Sequence, residues 1–103
     1  GRKDFQIKHM GYRIELGEIE AAALALNGVD KACAIYDYNK KNVVLAYEAE
    51  ANIKRKDILL GLRERLPKYM LPARFENIKV MPTNVNGKID RAKLKDDILN
   101  VRN

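Results

Sequence analysis

The sequence predicts an α+β domain: a three-stranded antiparallel sheet with helices packed on it, and a separate small β-hairpin near the N-terminus. Three observations point there. Period-two and period-3.6 hydrophobic patterns succeed one another along the chain. Glycine, asparagine and proline stand at the borders between them. No strand-to-helix junction carries the glycine-rich turn of a dinucleotide-binding unit. At 103 residues, 47% of them hydrophobic, the chain suits a single domain with a modest core.

The elements follow in order. Phe5 to Met10 alternates loosely, Gly11-Tyr12 interrupts, and Arg13 to Leu16 alternates again, which predicts a hairpin turning at the glycine. From Glu18 a helical stripe of Ile19, Ala22, Ala23 and Leu26 runs to a stop at Asn27-Gly28. Val29 to Tyr38 is apolar and β-favouring, and Asn39 to Asn42 is a polar turn. Val43 to Ala49 makes the second arm of an antiparallel pair. Ile58, Leu59, Leu62 and Leu66 fall at helical spacing between Arg55 and Leu66, and Pro67 ends that helix. Phe75 to Met81 alternates as a third strand. Asp90 offers an N-cap to a last helix carrying Leu94 and Ile98.

Composition narrows the function classes. No apolar stretch approaches the length that spans a bilayer, and no basic-then-apolar leader is expected. The single cysteine, Cys33, cannot form an internal disulfide and sits in an apolar run, which predicts a buried thiol. With one histidine, His9, it cannot build a four-ligand zinc site, so no metal centre is expected. Nothing indicates secretion, and a reducing cytoplasm is the expected location. Twenty Lys and Arg against fourteen Asp and Glu leave a net charge of +6. Acidic residues (Asp57, Glu64, Asp90, Asp96, Asp97) interrupt the basic clusters, and Lys54-Arg55-Lys56 reads as a solvated helix start. Aromatic residues are not interleaved with the basic ones as a nucleic-acid platform needs. Neither nucleic acid nor membrane is expected as a partner.

Chemistry concentrates near the end of the chain, in Thr83-Asn84-Val85-Asn86-Gly87-Lys88-Ile89 followed by Asp90-Arg91. This run places Lys88 on a loop relaxed by Gly87, with Asn86 beside it, just ahead of a helix. An ammonium there is suited to meeting a phosphate or carboxylate as a point charge. Taken alone, Asn-Gly-Lys is also an ordinary turn signal. No G-x-x-x-x-G-K-[ST] loop, G-x-S-x-G elbow or paired metal ligands occur, so the chain holds no complete active site of those kinds. Glu18 and Glu20 stand at a helix start, where carboxylates meet the helix dipole, and read as structural.

Two further blocks give the loop its weight: Gly11-Tyr12-Arg13-Ile14-Glu15-Leu16-Gly17-Glu18-Ile19-Glu20, and Leu66-Pro67-Lys68-Tyr69-Met70-Leu71-Pro72. With the lysine loop, in this order and covering nearly the whole chain, they resemble the C-terminal subdomain of the AMP-forming adenylating enzymes. The branch that they are most similar to is the amino-acid adenylation domains of nonribosomal peptide synthetases, together with D-alanine–carrier-protein ligases. The resemblance implies that residues 1–103 are a mobile lid hinged at about residues 1–5. It also implies that the large N-terminal ATP-binding domain lies outside this chain.

The same resemblance implies roles for particular residues. Lys88 would reach into the cleft and contact the acid's carboxylate and the α-phosphate region of ATP, with Asn86 and Gly87 supporting its loop. Asp4 would be the hinge, and Arg2 would lie near the nucleotide. After rotation, the loop of Gly11, Tyr12 and Arg13 would line the passage used by a phosphopantetheine thiol. ATP and Mg2+ would be held mainly by the N-terminal domain. The partners would be that domain, the amino-acid substrate and a peptidyl or acyl carrier protein. His9-Met10 stands where Ile-Arg is common in peptide synthetases, which leaves the acceptor open between a carrier and coenzyme A. Tyr69 and Met70, between Pro67 and Pro72, read as a rigid connector. Two other readings stand beside this one: the lid of an acyl-CoA synthetase, and an independent basic binding module.

Overall fold

The computed structural model describes residues 6–99. Strands β1 (Gln6–His9) and β2 (Tyr12–Glu15) pair antiparallel, Ile7 opposite Ile14 and Lys8 opposite Arg13. Met10 and Gly11 form the turn with φ of 52° and 85°. Two successive positive φ values give the type I′ twist that suits a two-residue hairpin. The hairpin is where the alternation predicts it.

Helix α1 (Leu16–Leu24) starts directly after β2, two residues before the sequence pattern suggests. Leu16 is buried, so packing rather than a capping side chain fixes the junction. Strands β3 (Val29–Asp37) and β4 (Asn42–Ala49) form the expected antiparallel pair. Helix α2 (Arg55–Arg63) opens with Asp57 Oδ2 accepting the Lys54 N–H at 3.0 Å. A single 3-10 turn at Lys68–Met70 follows, then β5 (Arg74–Asn77) and α3 (Arg91–Leu99). Asp90 caps α3 as the sequence implies, its Oδ1 accepting the Lys93 N–H at 3.1 Å.

The sheet order is β3-β4-β5, and it is mixed, not antiparallel as the sequence pattern suggests. Strand β5 runs parallel to β4, with Val44 opposite Arg74 and Tyr47 opposite Asn77. The reason lies in the connection: α2 and the 3-10 turn fill the stretch from β4 to β5, and a long helical crossover returns the chain in the same direction. The strand also stops at Asn77 instead of reaching Met81. Beyond it, the Met81 N–H leaves the ladder and donates to Glu48 Oε2 at 2.6 Å.

Both faces of the sheet are covered. Ala32, Ala34 and Tyr36 of β3, with Val43, Leu45 and Tyr47 of β4, face α1, α2 and the hairpin. Cys33, Ile35, Val44 and Ala46 face Met81, Leu94 and Ile98. Period-two alternation therefore separates two apolar faces, which is why β3 reads as an unbroken apolar run. Helices α1 and α2 lie on one side of the sheet and α3 on the other. Among the described residues no helix is long and apolar enough to cross a membrane.

Candidate functional site

The lysine loop is built by its own backbone. The Asn84 N–H donates to the Lys88 carbonyl at 2.8 Å, and the Gly87 N–H donates to the Asn84 carbonyl at 2.9 Å. Asn84 Oδ1 accepts the N–H groups of Asn86 at 2.9 Å and Lys88 at 3.2 Å. Gly87 sits at a φ of 79°, a region that admits glycine readily. Thr83 bridges Ile89, and the Asp90 N–H donates to the Pro82 carbonyl at 2.8 Å, so the base of the loop is closed. Val85 is fully exposed, and Lys88 is exposed beside it.

Lys88 borders an open groove of about 800 Å3 between this loop and β3. Ile7, Leu16, Ala34 and Ile35 contribute to its apolar lining, and Tyr38, Asn84, Arg91 and Lys95 to its polar rim, where among the described residues Asp90 is the one carboxylate against three cations. Lys95 Nζ lies 5.6 Å from the centre of the Tyr38 ring, a cation–π distance. The Tyr38 ring meets that of Tyr36 edge-on at 4.9 Å, and the Tyr36 hydroxyl shares a 2.8 Å hydrogen bond with His9 Nδ1. Burial raises the Tyr36 pKa, with Tyr38 and Asp37 adding to the shift. Among the described residues, Lys88 and Lys95 are in no ion pair, whereas Lys93 pairs with Asp97. The groove therefore offers ammonium groups beside an apolar floor, an arrangement that favours an anion.

Gly11, Tyr12 and Arg13 stand elsewhere, at the hairpin tip, and do not line this groove. Tyr12 stacks on Tyr69, the centre of the Lys68–Met70 turn, so the supposed connector holds the hairpin. Met10 is 82% exposed next to Gly11, and a Cβ built on Gly11 meets nothing within 4 Å. Asp4 and Arg2, the hinge and nucleotide candidates, lie outside the described residues. Cys33 is buried, and burial foremost pushes its thiol up to about 12. Among the described residues no three His, Cys, Asp or Glu side chains gather as metal ligands.

Three residues here escape the sequence reading. Asn84, not Asn86, supplies the side chain that cradles the loop, and Asn-x-Asn-Gly carries the signal, since an Asn side chain commonly accepts a backbone N–H two residues on. Glu20 and Arg91 form an ion pair at 2.6 Å across a sequence separation of 71 residues. No local pattern announces a pairing over that distance.

No protein-family model matches the chain. Bacitracin synthase 1 of Bacillus licheniformis is 42% identical over 100 residues, covering 93% of this chain and 2% of that protein. A mycosubtilin synthase polypeptide of Bacillus subtilis is 44% identical over 96 residues, 91% of this chain and 4% of that one. Among solved structures, Klebsiella oxytoca NpsA in complex with 3-hydroxyanthranilyl-AMSN aligns with a TM-score of 0.89 and 26% identity. That match covers 96% of this chain and 20% of NpsA. O-succinylbenzoate coenzyme A synthetase from Bacillus subtilis, in complex with AMP, aligns at 0.81 and 27%, over 92% of this chain and 20% of the synthetase. The chain thus spans a small fraction of each of these proteins.

Fold and sequence together define a piece of an adenylating enzyme. The chain belongs to the AMP-forming adenylating enzyme superfamily as a C-terminal subdomain, on the branch of the nonribosomal peptide synthetase adenylation domains.

Proposed function

We propose that this domain is the mobile lid of an ATP-dependent amino-acid-activating ligase, and that Lys88 is its catalytic residue. The observation that carries the reading is Lys88 itself: an exposed ammonium on a self-braced loop, beside a groove with further cations. When a carboxylate attacks the α-phosphorus of ATP, two anions are forced together and charge grows on the phosphoryl oxygens. A cation aimed there orients the attacker and stabilises the transition state. Near a protein surface, unit charges ~4 Å apart interact by about 4 kcal/mol. The ATP, its Mg2+ and the amino acid would be held mainly by an N-terminal core domain. Rotation about Asp4, with Arg2 near the nucleotide, would exchange the lysine loop for the hairpin tip of Gly11, Tyr12 and Arg13. That face would then admit a phosphopantetheine thiol from a carrier protein for thioester formation.

Identity of 42–44% to peptide synthetase segments, against 27% to the coenzyme A synthetase, supports the carrier-protein acceptor over coenzyme A. The complex of the similar O-succinylbenzoate coenzyme A synthetase with AMP supports the nucleotide chemistry. The isolated domain is expected to be inactive. The test is Lys88→Ala in the full-length protein. Pyrophosphate exchange is expected to fall by about 100- to 1,000-fold, while acyl transfer from supplied aminoacyl-adenylate stays close to wild type. Equal loss in both steps would overturn the assignment.

A further inference from the structure

Among the described residues Lys88 has no fixed side-chain partner, and there the backbone that carries it sets the stance of its ammonium. That backbone continues into α3, whose buried contacts are Leu94 and Ile98, both beyond its first turn. Half-buried Ile89 and the closed loop base hold the chain just ahead of α3, but the first turn of the helix needs an anchor of its own if Lys88 is to keep one stance. Arg91, three residues after Lys88, supplies it.

Arg91 Nη1 donates to the Ala34 carbonyl at 2.9 Å, and its Nη2 donates to Glu20 Oε2 at 2.6 Å. The same carboxylate oxygen accepts the Ala34 N–H at 2.8 Å. Both backbone groups of one residue on β3, a strand at the edge of the sheet, are thereby occupied by side chains. Glu20 is itself rigidly mounted, because α1 sits in the core through Leu16, Ile19 and Ala23. The Glu20 side chain is only 16% exposed and that of Arg91 32%, so water competes weakly for the pair. A forked guanidinium is suited to this bridge, since it can meet a carbonyl and a carboxylate at once.

We propose that Glu20 and Arg91 are a positioning pair that fixes the stance of Lys88, locking the start of α3 to the sheet edge. The inference rests on the lid reading for its catalytic consequence, though not for its structural one. Glu20 is outside the groove lining, and Arg91 borders the groove with its guanidinium engaged by Ala34 and Glu20, so the pair acts through the lysine loop.

The test is Arg91→Lys in the full-length protein, which keeps the charge but removes the fork. Pyrophosphate exchange at saturating substrate is expected to slow by about 10- to 100-fold, as a displaced catalytic group does. Acyl transfer from supplied adenylate is expected to change little. Because the pair acts through Lys88, the double variant Lys88→Ala/Arg91→Lys is expected to be no slower than Lys88→Ala alone. Unchanged exchange in Arg91→Lys, additive losses in the double variant, or parallel losses in both steps would overturn the proposal. A second measurement separates it from the lid reading. Hydrogen exchange at the Asn84 and Asp90 amides is expected to quicken in Arg91→Lys while Leu45 in the core is unaffected. If Lys88→Ala spares pyrophosphate exchange, the lid reading fails and the amides alone decide: faster loop exchange sustains the anchor, and unchanged exchange overturns it.

Discussion

The ring of Tyr12 lies flat on that of Tyr69, centroids 4.0 Å apart and planes 12° apart. This contact joins the hairpin tip to the 3-10 turn after α2, two segments far apart in sequence. Stacked aromatic pairs contribute about 0.5–1.5 kcal/mol beyond their buried area. Tyr12→Ala and Tyr69→Ala are therefore expected each to lower stability by about 1 kcal/mol, with a double variant less destabilised than the sum of the two. Urea melts of the four forms measure the coupling, and Tyr12→Phe is expected to behave nearly as wild type.

The turn beside that contact is set by backbone geometry. Met10 occupies positive φ without being glycine, and Gly11 follows it at 85°. Met10→Asn is expected to stabilise the domain by a few tenths of a kcal/mol or more, since Asn-Gly is the preferred type I′ pair. Gly11→Leu is expected to cost about 1–2 kcal/mol from left-handed backbone strain alone, there being no clash for its Cβ to meet. In the full-length protein it is also expected to slow acyl transfer while sparing pyrophosphate exchange; slowing of both alike would count against a hairpin that acts only in the second step.

Local signals carried most of the fold. The hairpin glycine, the paired strands and the Asp90 cap each depend on a few neighbouring residues and stand where the sequence puts them, whereas α1 ends at Leu24, short of its Asn27-Gly28 signal. The direction of β5 depends instead on how α2 crosses the sheet, and alternation over Arg74–Asn77 is the same whichever way the strand runs. Candidate site residues divide the same way. The turn that carries Lys88 was legible because glycine and asparagine mark it. The link from Glu20 to Arg91 was not, because only the packing of α1 and α3 on β3 brings those side chains together. Glu20 does read as structural in the sequence, but its partners are the sheet edge and Arg91 rather than a helix dipole.

Asn84 is exposed, yet its side-chain oxygen accepts two N–H groups of the lysine loop. Asn84→Ala is expected to cost only about 0.5–1.5 kcal/mol, since water can replace those acceptors. Its functional effect is expected to be larger than its effect on stability: pyrophosphate exchange falls several-fold at an almost unchanged melting temperature. Asn84→Asp, which keeps the accepting oxygen, is expected to restore loop order; failure of Asp to recover amide protection at Lys88 would show that the cradle is dispensable.

Cys33 ties alkaline stability to the core beneath β3. Its thiol is pushed up to about 12, chiefly by burial, while the nearby Arg91 pulls down and Glu20 pushes up more weakly. In the unfolded chain a cysteine loses its proton near pH 8.5. Below that both states are protonated and the group leaves stability unchanged with pH. Above it the unfolded state binds fewer protons than the folded one, so stability falls as pH rises, by up to about 1.4 kcal/mol per unit for this group. Burial raises Tyr36 and Tyr47 as well, which steepens the decline once unfolded tyrosine titrates, above about pH 10. Cys33→Ala is expected to flatten the first part of that slope, seen in urea melts between about pH 8 and pH 10. The native thiol is expected to resist alkylation over the same range and to react at the rate of unfolding. Rapid labelling of folded protein, or an identical slope in Cys33→Ala, would remove this thiol as the source of the decline.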